Sequence, residues 1–529
     1  MLSTCRQLIT SAPHGSRALL VRSYATAKDI TPSVQATRSR DGSRKEKLVV
    51  LGGGWSGFEV LRGVDKNKYD VYIVAPNTYW TMTPLLASAA TGSLEFRNVV
   101  EPIRESCDQA YYYHAWCDRI DFTRKRVHLT PAYPPAFQSP DPAFGGSEAG
   151  QNSSAVPNSR GGQESSYVRV PHRQAIEGSE DATHATARKH DDKPNETWDS
   201  QEQGRSYALP YDKLVIATGT YNRTFGTPGV RENAWFLKDV QNARSIRFRI
   251  MECFEQAEHP ELTDQQRRNV LSFIVVGGGP TGSEMASALF DMVHNDIRRV
   301  FPHLVKLCSI TIVDAAGSIL NTFDKSLQEY AQKTFQRDGI QLKLNRKPVR
   351  VERGNFVVEP DGEMPFGLLV WSTGNTQGPL VKGITNVKKD QTGALVTDDQ
   401  LEVIPSDPSH AEEVQGVYAM GDCAQIEDHA LPATAQVAAQ KGKFLAKLLN
   451  SQGASGESFK YQHSGTLANL SGGRGIAQFS KGGKLSGRSA SALWHSTYSL
   501  YMSVSWRNKI AIPFTWMLNR VFGRTLSRI

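Results

Sequence analysis

The chain has 529 residues, 39 % of them hydrophobic, which is enough for two or three packed domains. Its net charge of +8 is concentrated at the ends, because residues 458–529 carry ten Lys and Arg and no acid, and residues 1–46 carry eight against three acids. The body between them is mildly acidic, so the basic balance does not indicate a nucleic-acid groove, and no nucleic-acid partner is expected.

Residues 1–45 are predicted to be a mitochondrial transit peptide and a disordered arm. The first 28 residues contain four basic residues, several hydroxyls and no acid, and they lack the long apolar run of a secretory signal. Arg22-Ser23-Tyr24 resembles the sequence before a matrix-protease cleavage site. A disordered basic arm without a targeting role is the alternative.

A first nucleotide-binding turn is predicted after a short apolar strand at 47–51. Its three glycines have G-x-G-x-x-G spacing and are Gly52, Gly54 and Gly57. In such a unit the first glycine allows a tight turn, the second lets a pyrophosphate approach, and the third lets helix pack on strand. The next strand, 71–74, ends in Ala75-Pro76-Asn77 instead of the acid that usually holds an adenosine ribose, so another group must hold it.

Residues 130–206 are predicted to be a disordered insertion at a hairpin tip. The tract is rich in Pro, Ser, Gly, Asn, Asp and Glu and has few large apolar residues. Its flanking strands are predicted at 124–129 and from Tyr207 onward. The tract contains no D-x-D-x-D-G calcium loop.

A second turn follows a predicted buried strand at 273–276. Its glycines, again in G-x-G-x-x-G spacing, are Gly277, Gly279 and Gly282. Each of the two turns is followed, more than 90 residues later, by a strand that ends in Thr-Gly, at Thr218-Gly219 and at 373–374. This order indicates an internal duplication of two nucleotide-binding units. For either motif alone, a glycine turn that binds no ligand is the alternative.

The second unit contains the acid that the first one lacks. Its second strand is predicted at 309–313 and ends in Asp314. A carboxylate there accepts hydrogen bonds from both ribose hydroxyls and repels a 2′-phosphate, so the sequence predicts NADH rather than NADPH. A surface carboxylate at a strand end is the alternative.

Two further elements carry polar groups, and that of the first suits a flavin. The strand at 417–420 closes on Gly421-Asp422, where a carboxylate can accept a hydrogen bond from a ribityl hydroxyl. The helix that starts after Leu431 has Gln436 and Gln440 on one face. The six cysteines are scattered without C-x-x-C spacing, so neither a disulfide framework nor a metal site is predicted.

Residues 458–529 are predicted to anchor the protein at a membrane surface through paired amphipathic helices. Trp494, Tyr498 and Tyr501 recur at i, i+4 and i+7, and no apolar run reaches the roughly 18 residues that a bilayer span needs. Aromatic rings and bases suit the headgroup region of an anionic membrane. A helical hairpin packed on the protein or at a dimer interface is the alternative, and both hold if the aromatic face also dimerises.

As a set, these motifs resemble the flavoproteins with two dinucleotide-binding domains, and among them the type II (alternative, rotenone-insensitive) NADH:ubiquinone oxidoreductases of fungal and plant mitochondria. The resemblance covers about residues 46–129 and 207–529. It rests on residues 52–57 with 79–86, 275–284, 371–375, 419–422, 431–440, and 463–470 with the tail.

The resemblance implies an α/β fold with two Rossmann-like domains and a C-terminal membrane-anchoring region. The FAD-binding domain is expected at 46–222 and 375–457, the NADH-binding domain at 223–374, and the anchoring region at 458–529. The residues implied to line FAD are Gly52, Gly54, Gly57, Thr83, Thr218, Gly219 and Asp422. Those implied to line NADH are Gly277, Gly279, Gly282 and Asp314, and Gly374 is a further cofactor-binding candidate.

By the same resemblance, Glu284 is expected near the nicotinamide–flavin junction, and Gln436 and Gln440 at the quinone end of the flavin. Two departures bear on these roles. Fungal relatives often have His and Glu where this chain has Ala439 and Lys441, and the second-strand acid is usually Glu rather than Asp.

The implied activity is hydride transfer from NADH to FAD and then electron transfer to ubiquinone, without proton pumping, by a homodimer at the inner mitochondrial membrane. The missing calcium loop favours the matrix side. A dithiol–disulfide reductase would need a close cysteine pair, and a sulfide:quinone oxidoreductase needs cysteines at the flavin face, where only Cys423 is available. A flavoprotein that senses NADH, similar to apoptosis-inducing factor, is the non-enzymatic alternative.

Overall fold

The structure is a computed structural model, and it describes residues 44–106, 109–132, 207–451 and 456–526. The predictions for the transit peptide and for nearly all of the insertion concern residues outside these ranges.

The strands of the described residues alternate with helices along most of the chain, as in a doubly wound α/β protein. In chain order the strands are β1 (Glu46–Leu51), β2 (Tyr69–Ala75), β3 (Tyr79–Thr81), β4 (Val100–Pro102), β5 (Tyr111–Asp121), β6 (Arg126–Pro131), β7 (Tyr207–Pro210), β8 (Lys213–Ile216), β9 (Thr220–Asn222), β10 (Trp235–Phe236), β11 (Ser272–Val276), β12 (Ser309–Val313), β13 (Gln341–Lys343), β14 (Lys347–Glu352), β15 (Asn355–Glu359), β16 (Gly362–Pro365), β17 (Leu368–Trp371), β18 (Asn375–Gln377), β19 (Leu395–Thr397), β20 (Val417–Ala419), β21 (Ala424–Ile426), β22 (Thr466–Leu470), β23 (Arg474–Gln478) and β24 (Lys484–Gly487).

The α-helices follow the parallel strands and also form the end of the chain. They are α1 (Trp55–Gly63), α2 (Leu86–Ala90), α3 (Val230–Asn233), α4 (Val240–Glu258), α5 (Asp264–Val270), α6 (Pro280–Met292), α7 (Arg298–Val300), α8 (Lys325–Arg337), α9 (Pro379–Gly383), α10 (Ala411–Val414), α11 (Ala435–Asn450), α12 (Arg488–Ser496) and α13 (Trp506–Phe522).

The first large sheet has the order β20-β8-β1-β2-β5-β6-β7. Its five strands from β20 to β5 are parallel, and β1 and β2 are buried along nearly their whole length because their Val, Ile and Leu runs are covered on both faces. Strands β6 and β7 pair antiparallel, with Leu129 opposite Tyr207, so the predicted hairpin that flanks the insertion is confirmed.

The second large sheet, β10-β17-β11-β12-β13, is parallel throughout. The antiparallel sheet β14-β15-β16 lies beside it, and Val351 and Phe356 pack into the same core cluster as Ile274 and Trp371. A short antiparallel ribbon of β9 and β18 joins the two large sheets, and it lies at the two boundaries, 222 and 375, expected between the nucleotide-binding domains. The chain therefore enters and leaves the second sheet side by side.

The C-terminal unit contains a three-stranded antiparallel sheet, β22-β23-β24, which the sequence did not predict, followed by α12 and α13. A π-helical turn, Thr497–Tyr501, extends α12. The expectation that Trp494, Tyr498 and Tyr501 share one outward face is wrong. Trp494 is only 2 % exposed and Tyr498 is half-buried, whereas Tyr501 is 85 % exposed, because the first two side chains pack inward against α13 and α6.

The inner face of helix α13 binds the first nucleotide-binding domain, and the residue Arg524, just after the helix, binds the second. The Asn508 amide donates to Glu101 Oε1 at 2.9 Å, and the Asn519 amide donates to the Ser93 carbonyl at 3.0 Å. Just after the helix, Arg524 and Asp296 form a buried ion pair at 3.1 Å. Within the described residues, no helix combines the length and hydropathy that crossing a membrane would require.

Candidate nucleotide and electron-transfer site

The first glycine turn joins β1 to α1, and its backbone excludes side chains at two positions. Gly52 has a φ of +111°, and a Cβ there would lie 2.2 Å from the Ala217 carbonyl oxygen. A Cβ on Gly57 would lie 2.1 Å from the Gly52 oxygen, so α1 can approach the turn only because this residue is glycine. Around Gly54 the corresponding volume is open, as close approach of a diphosphate requires.

The start of α1 has an anion-attracting character that no side chain neutralises. Gly54 is the N-cap residue, and no side chain caps the helix. The same holds for α6, where Gly279 is the N-cap and Pro280 the first helical residue. Uncapped amide groups at a helix start, together with the helix dipole, attract phosphate oxygens. Both turns therefore fit the pyrophosphate of a dinucleotide.

Several other predicted FAD-lining residues gather around the start of α1. The exposed Thr83 hydroxyl accepts a 3.0 Å hydrogen bond from the Trp55 indole in the first turn of that helix. Thr218 is exposed, and Gly219 has a φ of +65° with open space at its Cβ position. Asp422 follows Gly421, whose Cβ position lies 2.9 Å from the Ser56 hydroxyl. The structure thus brings these residues to one end of the first sheet.

Lys238 is a site residue that the sequence analysis missed. Its ammonium donates to Asn375 Oδ1 at 3.0 Å and to the Thr220 hydroxyl at 3.3 Å, and that hydroxyl donates to Asp422 Oδ2 at 3.4 Å. Burial lowers the pKa of Lys238, while the negative charge of Asp422 opposes this effect. The lysine follows an ordinary apolar strand, so no sequence motif distinguishes it from a surface lysine.

Lys441, one of the two residues of α11 that differ from the fungal pattern, lies on the buried face of this helix. It is 1 % exposed, and burial lowers its pKa to about 8, while Cys423 and Asp422 act in the opposite direction. The Lys441 ammonium therefore interacts with the charge of Asp422 from the side of α11 that packs against α1. Cys423 is fully buried, and burial raises the pKa of its thiol, which disfavours the reactive thiolate.

The second turn repeats the geometry of the first. Gly277 has a φ of +108°, a Cβ on Gly282 would lie 1.9 Å from the Gly277 oxygen, and the space at Gly279 is open. The Asp314 carboxylate accepts hydrogen bonds from the amides of Gly278 and Ala316. It therefore stands beside the turn at the end of β12, where an adenosine ribose would be bound.

Gly374, the end of the second Thr-Gly strand, has a φ of +74°. The ring of Phe225 covers it, since a Cβ at this position would lie 2.7 Å from that ring. Phe225 is itself 56 % exposed. Gly374 thus lies at the start of the β9–β18 ribbon, one residue after Thr373, whose Cβ is 3.0 Å from the Cβ position of Gly277. Its contact with a cofactor stays a prediction.

Glu284 is half-buried in the second turn of α6, and its carboxylate faces the C-terminal unit. Oε1 accepts hydrogen bonds from the Trp494 indole at 2.8 Å and from the Asn469 amide at 3.1 Å. Burial raises the pKa of Glu284 to about 7, and the two hydrogen bonds act in the opposite direction. A carboxyl group with such a pKa can exchange a proton at neutral pH.

Gln436 and Gln440 both bind the segment 461–465 that leads into β22. The Gln436 amide donates to the Gly465 carbonyl at 2.8 Å. Gln440 donates to the Gln462 carbonyl at 2.8 Å and accepts from the Gln462 amide at 3.0 Å. Their carboxamides fasten this segment across the first turns of α11, and their contact with a quinone stays a prediction.

Comparison with known proteins agrees with this architecture. Residues 46–442 match the pyridine nucleotide-disulphide oxidoreductase family, and residues 463–525 match the NDH2 C-terminal domain. A probable NADH dehydrogenase of Dictyostelium discoideum is 33 % identical, over 91 % of each chain. The mitochondrial internal alternative NAD(P)H-ubiquinone oxidoreductase A1 of Solanum tuberosum is 31 % identical, over 96 % of this chain and 92 % of that one.

A solved structure, NDH2 from Plasmodium falciparum in complex with NADH, shares the fold. It superposes with a TM-score of 0.73 at 20 % identity, over 92 % of this chain and 100 % of that chain. The family expected from the sequence motifs is confirmed: the chain belongs to the pyridine nucleotide-disulphide oxidoreductases and, within them, to the type II NADH dehydrogenases.

Proposed function

We propose that this protein is a non-proton-pumping NADH:quinone oxidoreductase of a membrane surface. The observation that carries the proposal is the pair of uncapped glycine turns with matching first and third glycines. Only the second turn is followed by a strand that ends in an acid, Asp314. This difference supports FAD at the turn of Gly52 and NADH at the turn of Gly277. FAD, when bound, supplies the redox chemistry that accepts the hydride and passes two electrons to the quinone.

The side chains around the turns bind and orient the cofactors and supply charge near them, and they do not themselves react. The start of α1 holds the FAD diphosphate, and Asp422 accepts a hydrogen bond from its ribityl chain. Asp314 holds the NADH ribose and disfavours a 2′-phosphate by charge repulsion. Glu284 holds a proton close to neutral pH and can deliver it where the quinone is reduced. Gln436 and Gln440 shape the quinone end of the site through their hold on 461–465.

The outer face of α13 supports attachment to a membrane. Nine of the twelve large hydrophobic side chains that are exposed among the described residues lie between 500 and 522, on a segment without an acid. Lys509 also stacks its ammonium 5.1 Å from the ring of Trp506. These exposed side chains are Leu500, Tyr501, Trp506, Ile510, Phe514, Met517, Leu518, Val521 and Phe522. An apolar stripe flanked by bases suits a helix in the interface of an anionic bilayer, from which a quinone arrives.

Removing two outer side chains tests this attachment. We expect Trp506→Ser combined with Phe522→Ser to weaken binding to cardiolipin-containing vesicles by tenfold or more, because each buried aromatic ring contributes roughly 2 kcal/mol. Vesicle sedimentation measures the binding, and turnover with a water-soluble quinone should stay unchanged. Unaltered sedimentation would contradict the membrane assignment of this face.

The finer location and the assembly are parts of the same proposal. The mitochondrial relatives support the inner membrane, and the absence of a calcium loop from the sequence supports its matrix face. The exposed aromatic face of α13 also supports a homodimer, in which part of this face contacts the second subunit and the rest contacts the membrane. Protease protection in intact mitochondria tests the first point, and light scattering of the detergent-solubilised holoenzyme tests the second, where a monomer mass would contradict the dimer.

One reaction mixture separates the proposed activity from its rivals. Purified holoenzyme with NADH and a short-chain ubiquinone should oxidise NADH only when the quinone is present, and a thiol-blocking reagent should not inhibit it, since Cys423 is buried. Inhibition by the reagent would favour a thiol-dependent reductase. NADH binding without quinone-dependent turnover, with FAD in place, would contradict the proposal and favour an NADH sensor.

A further inference from the structure

The carboxylate of Glu284 belongs to the second nucleotide-binding unit, but the groups that hold it come from the C-terminal unit. The Trp494 indole of α12 and the Asn469 amide of β22 both donate to Oε1. These two donors are themselves joined, because the Ser491 hydroxyl of α12 donates to Asn469 Oδ1 at 3.0 Å. Among the described residues, therefore, no group of its own domain donates a hydrogen bond to the Glu284 carboxylate.

Trp494 is buried, and other aromatic rings pack against it. It is 2 % exposed, and its ring centroid lies 5.0 Å from that of Tyr498 and 6.2 Å from that of Trp516 on α13. The opposite side of α13 carries the exposed apolar stripe. Packed rings thus connect the carboxylate to Trp516 of the helix whose exposed side chains form the proposed membrane face.

In the part of the chain that the structure describes, Glu284 forms no ion pair, and no neighbouring charge contributes to its pKa. Strand β22 and helix α2, which pack against α6, bring no titratable side chain to it. Tyr498 faces it from the π-helical turn, and burial, together with the charge of Glu284, raises the pKa of that phenol. His495 lies beside Trp494, and burial lowers the pKa of its ring, whose Nδ1 binds the Ser491 carbonyl. Two neutral donors therefore stabilise the ionised carboxylate.

We propose that Trp494 is a positioning residue for the quinone half-reaction: its indole orients the Glu284 carboxylate and stabilises its ionised form, so that the C-terminal unit controls this proton-exchanging group. The inference rests on the proposed NADH:quinone activity. A hydrogen bond to the ionised form lowers the pKa of an acid, so its removal raises that pKa. The Asn469 amide remains, so the expected rise is moderate.

The test is Trp494→Phe in the FAD-loaded enzyme, with Trp516→Phe as a control that removes an indole from the same aromatic cluster. We expect the midpoint of the pH dependence of quinone reduction to move upward by about one unit in Trp494→Phe. The infrared band of the protonated Glu284 carboxyl, identified by its loss in Glu284→Gln, should titrate with the same shift. Both midpoints should stay unchanged in Trp516→Phe.

A double variant shows whether the effect passes through Glu284. In the Glu284→Gln background, Trp494→Phe should cause no further change in the pH profile. An additional shift in that background, or an unchanged carboxyl midpoint in Trp494→Phe, would overturn the inference. Turnover with NADH and quinone in the wild type would meanwhile leave the proposed function standing.

A further measurement needs no substitution at Trp494, in case Trp494→Phe does not fold. The Raman marker of indole hydrogen bonding in the wild-type holoenzyme should change with a midpoint near pH 7. This change should be absent from Glu284→Gln. A marker that does not titrate in the wild type would contradict the inference equally well.

Discussion

The two glycine turns agree in the geometry of their first and third glycines but differ in what surrounds them. The φ angles of Gly52 and Gly277 are +111° and +108°, and the third glycine of each turn presses on the first. Two residues after that third glycine, both units have a glutamate, Glu59 in the first and Glu284 in the second. Each turn therefore suits a diphosphate, and in our proposal its neighbours decide which dinucleotide binds there and what happens to it.

The two glutamates show how much the neighbours decide. Glu59 lies between cations, 3.8 Å from Arg62 and 4.0 Å from Lys443, under helix α11. Glu284 forms no ion pair with any described residue, and burial raises its pKa to about 7, although two neutral donors act in the opposite direction. The first is a paired charge between helices, whereas the second is suited to exchange a proton.

The largest expected effect comes from the third glycine of each turn. Gly57→Ala should yield protein that retains little FAD, because the added methyl meets the Gly52 oxygen at 2.1 Å. Gly282→Ala should retain FAD, but the rate of flavin reduction by NADH should fall by about 100-fold or more, since the nicotinamide is misplaced. Flavin absorbance and anaerobic stopped-flow reduction measure the two effects.

A matched control for this pair is Gly383→Ala, where the backbone has an ordinary φ and a Cβ meets no atom within 4 Å. It should behave as the wild type in both measurements. Loss of FAD from Gly282→Ala with retention in Gly57→Ala would reverse the assignment of the two turns.

Glu284→Gln should lower the rate of quinone reduction at pH 6 by on the order of 100-fold, the usual contribution of a positioned acid. The carboxyl group is protonated below pH 7 and ionised above it, so the wild-type rate should fall as the pH rises through 7, and this dependence should disappear in the variant. The control is Glu59→Gln, which should keep the pH dependence. Identical profiles for wild type and Glu284→Gln would remove Glu284 from the reaction.

Asp314→Asn should have a smaller effect, of about tenfold, on the KM for NADH, with kcat little changed. The variant loses a charged acceptor for the ribose, and a hydrogen bond to a charged group contributes roughly 1.5–3 kcal/mol. The preference for NADH over NADPH should shrink as well, because the repulsion of the 2′-phosphate is lost. Glu329→Gln, which removes an exposed acid from the same domain, should alter neither quantity.

The sequence predicted the parts of the site that depend on local pattern. A strand, a glycine turn and a helix start lie within 15 residues, so the positions of Gly52 and Gly277 could be expected from spacing. Asp314 could be expected because it ends the next apolar strand. The aromatic periodicity of α12 predicted an apolar face, but the expected outward direction was wrong for Trp494, which faces Glu284, 210 residues away in the sequence.

Contacts between polar groups far apart in the sequence leave no pattern in the sequence that would predict them. Lys238 joins Thr220 and Asn375 only because the β9–β18 ribbon brings them together. Strands β22 to β24 have only four or five residues each, so their alternation is too short to predict a sheet. What the sequence could not show is therefore how the C-terminal unit closes over the second nucleotide-binding unit.

The most direct test of the assignment of the two turns separates the half-reactions in Gly282→Ala. The holoenzyme variant is mixed anaerobically with NADH, and a second sample, whose flavin has been photoreduced, is mixed with a short-chain ubiquinone. We predict that NADH reduces the flavin at least about 100-fold more slowly than in the wild type, while the quinone reoxidises it at the wild-type rate. Reduction by NADH at the wild-type rate would contradict the assignment.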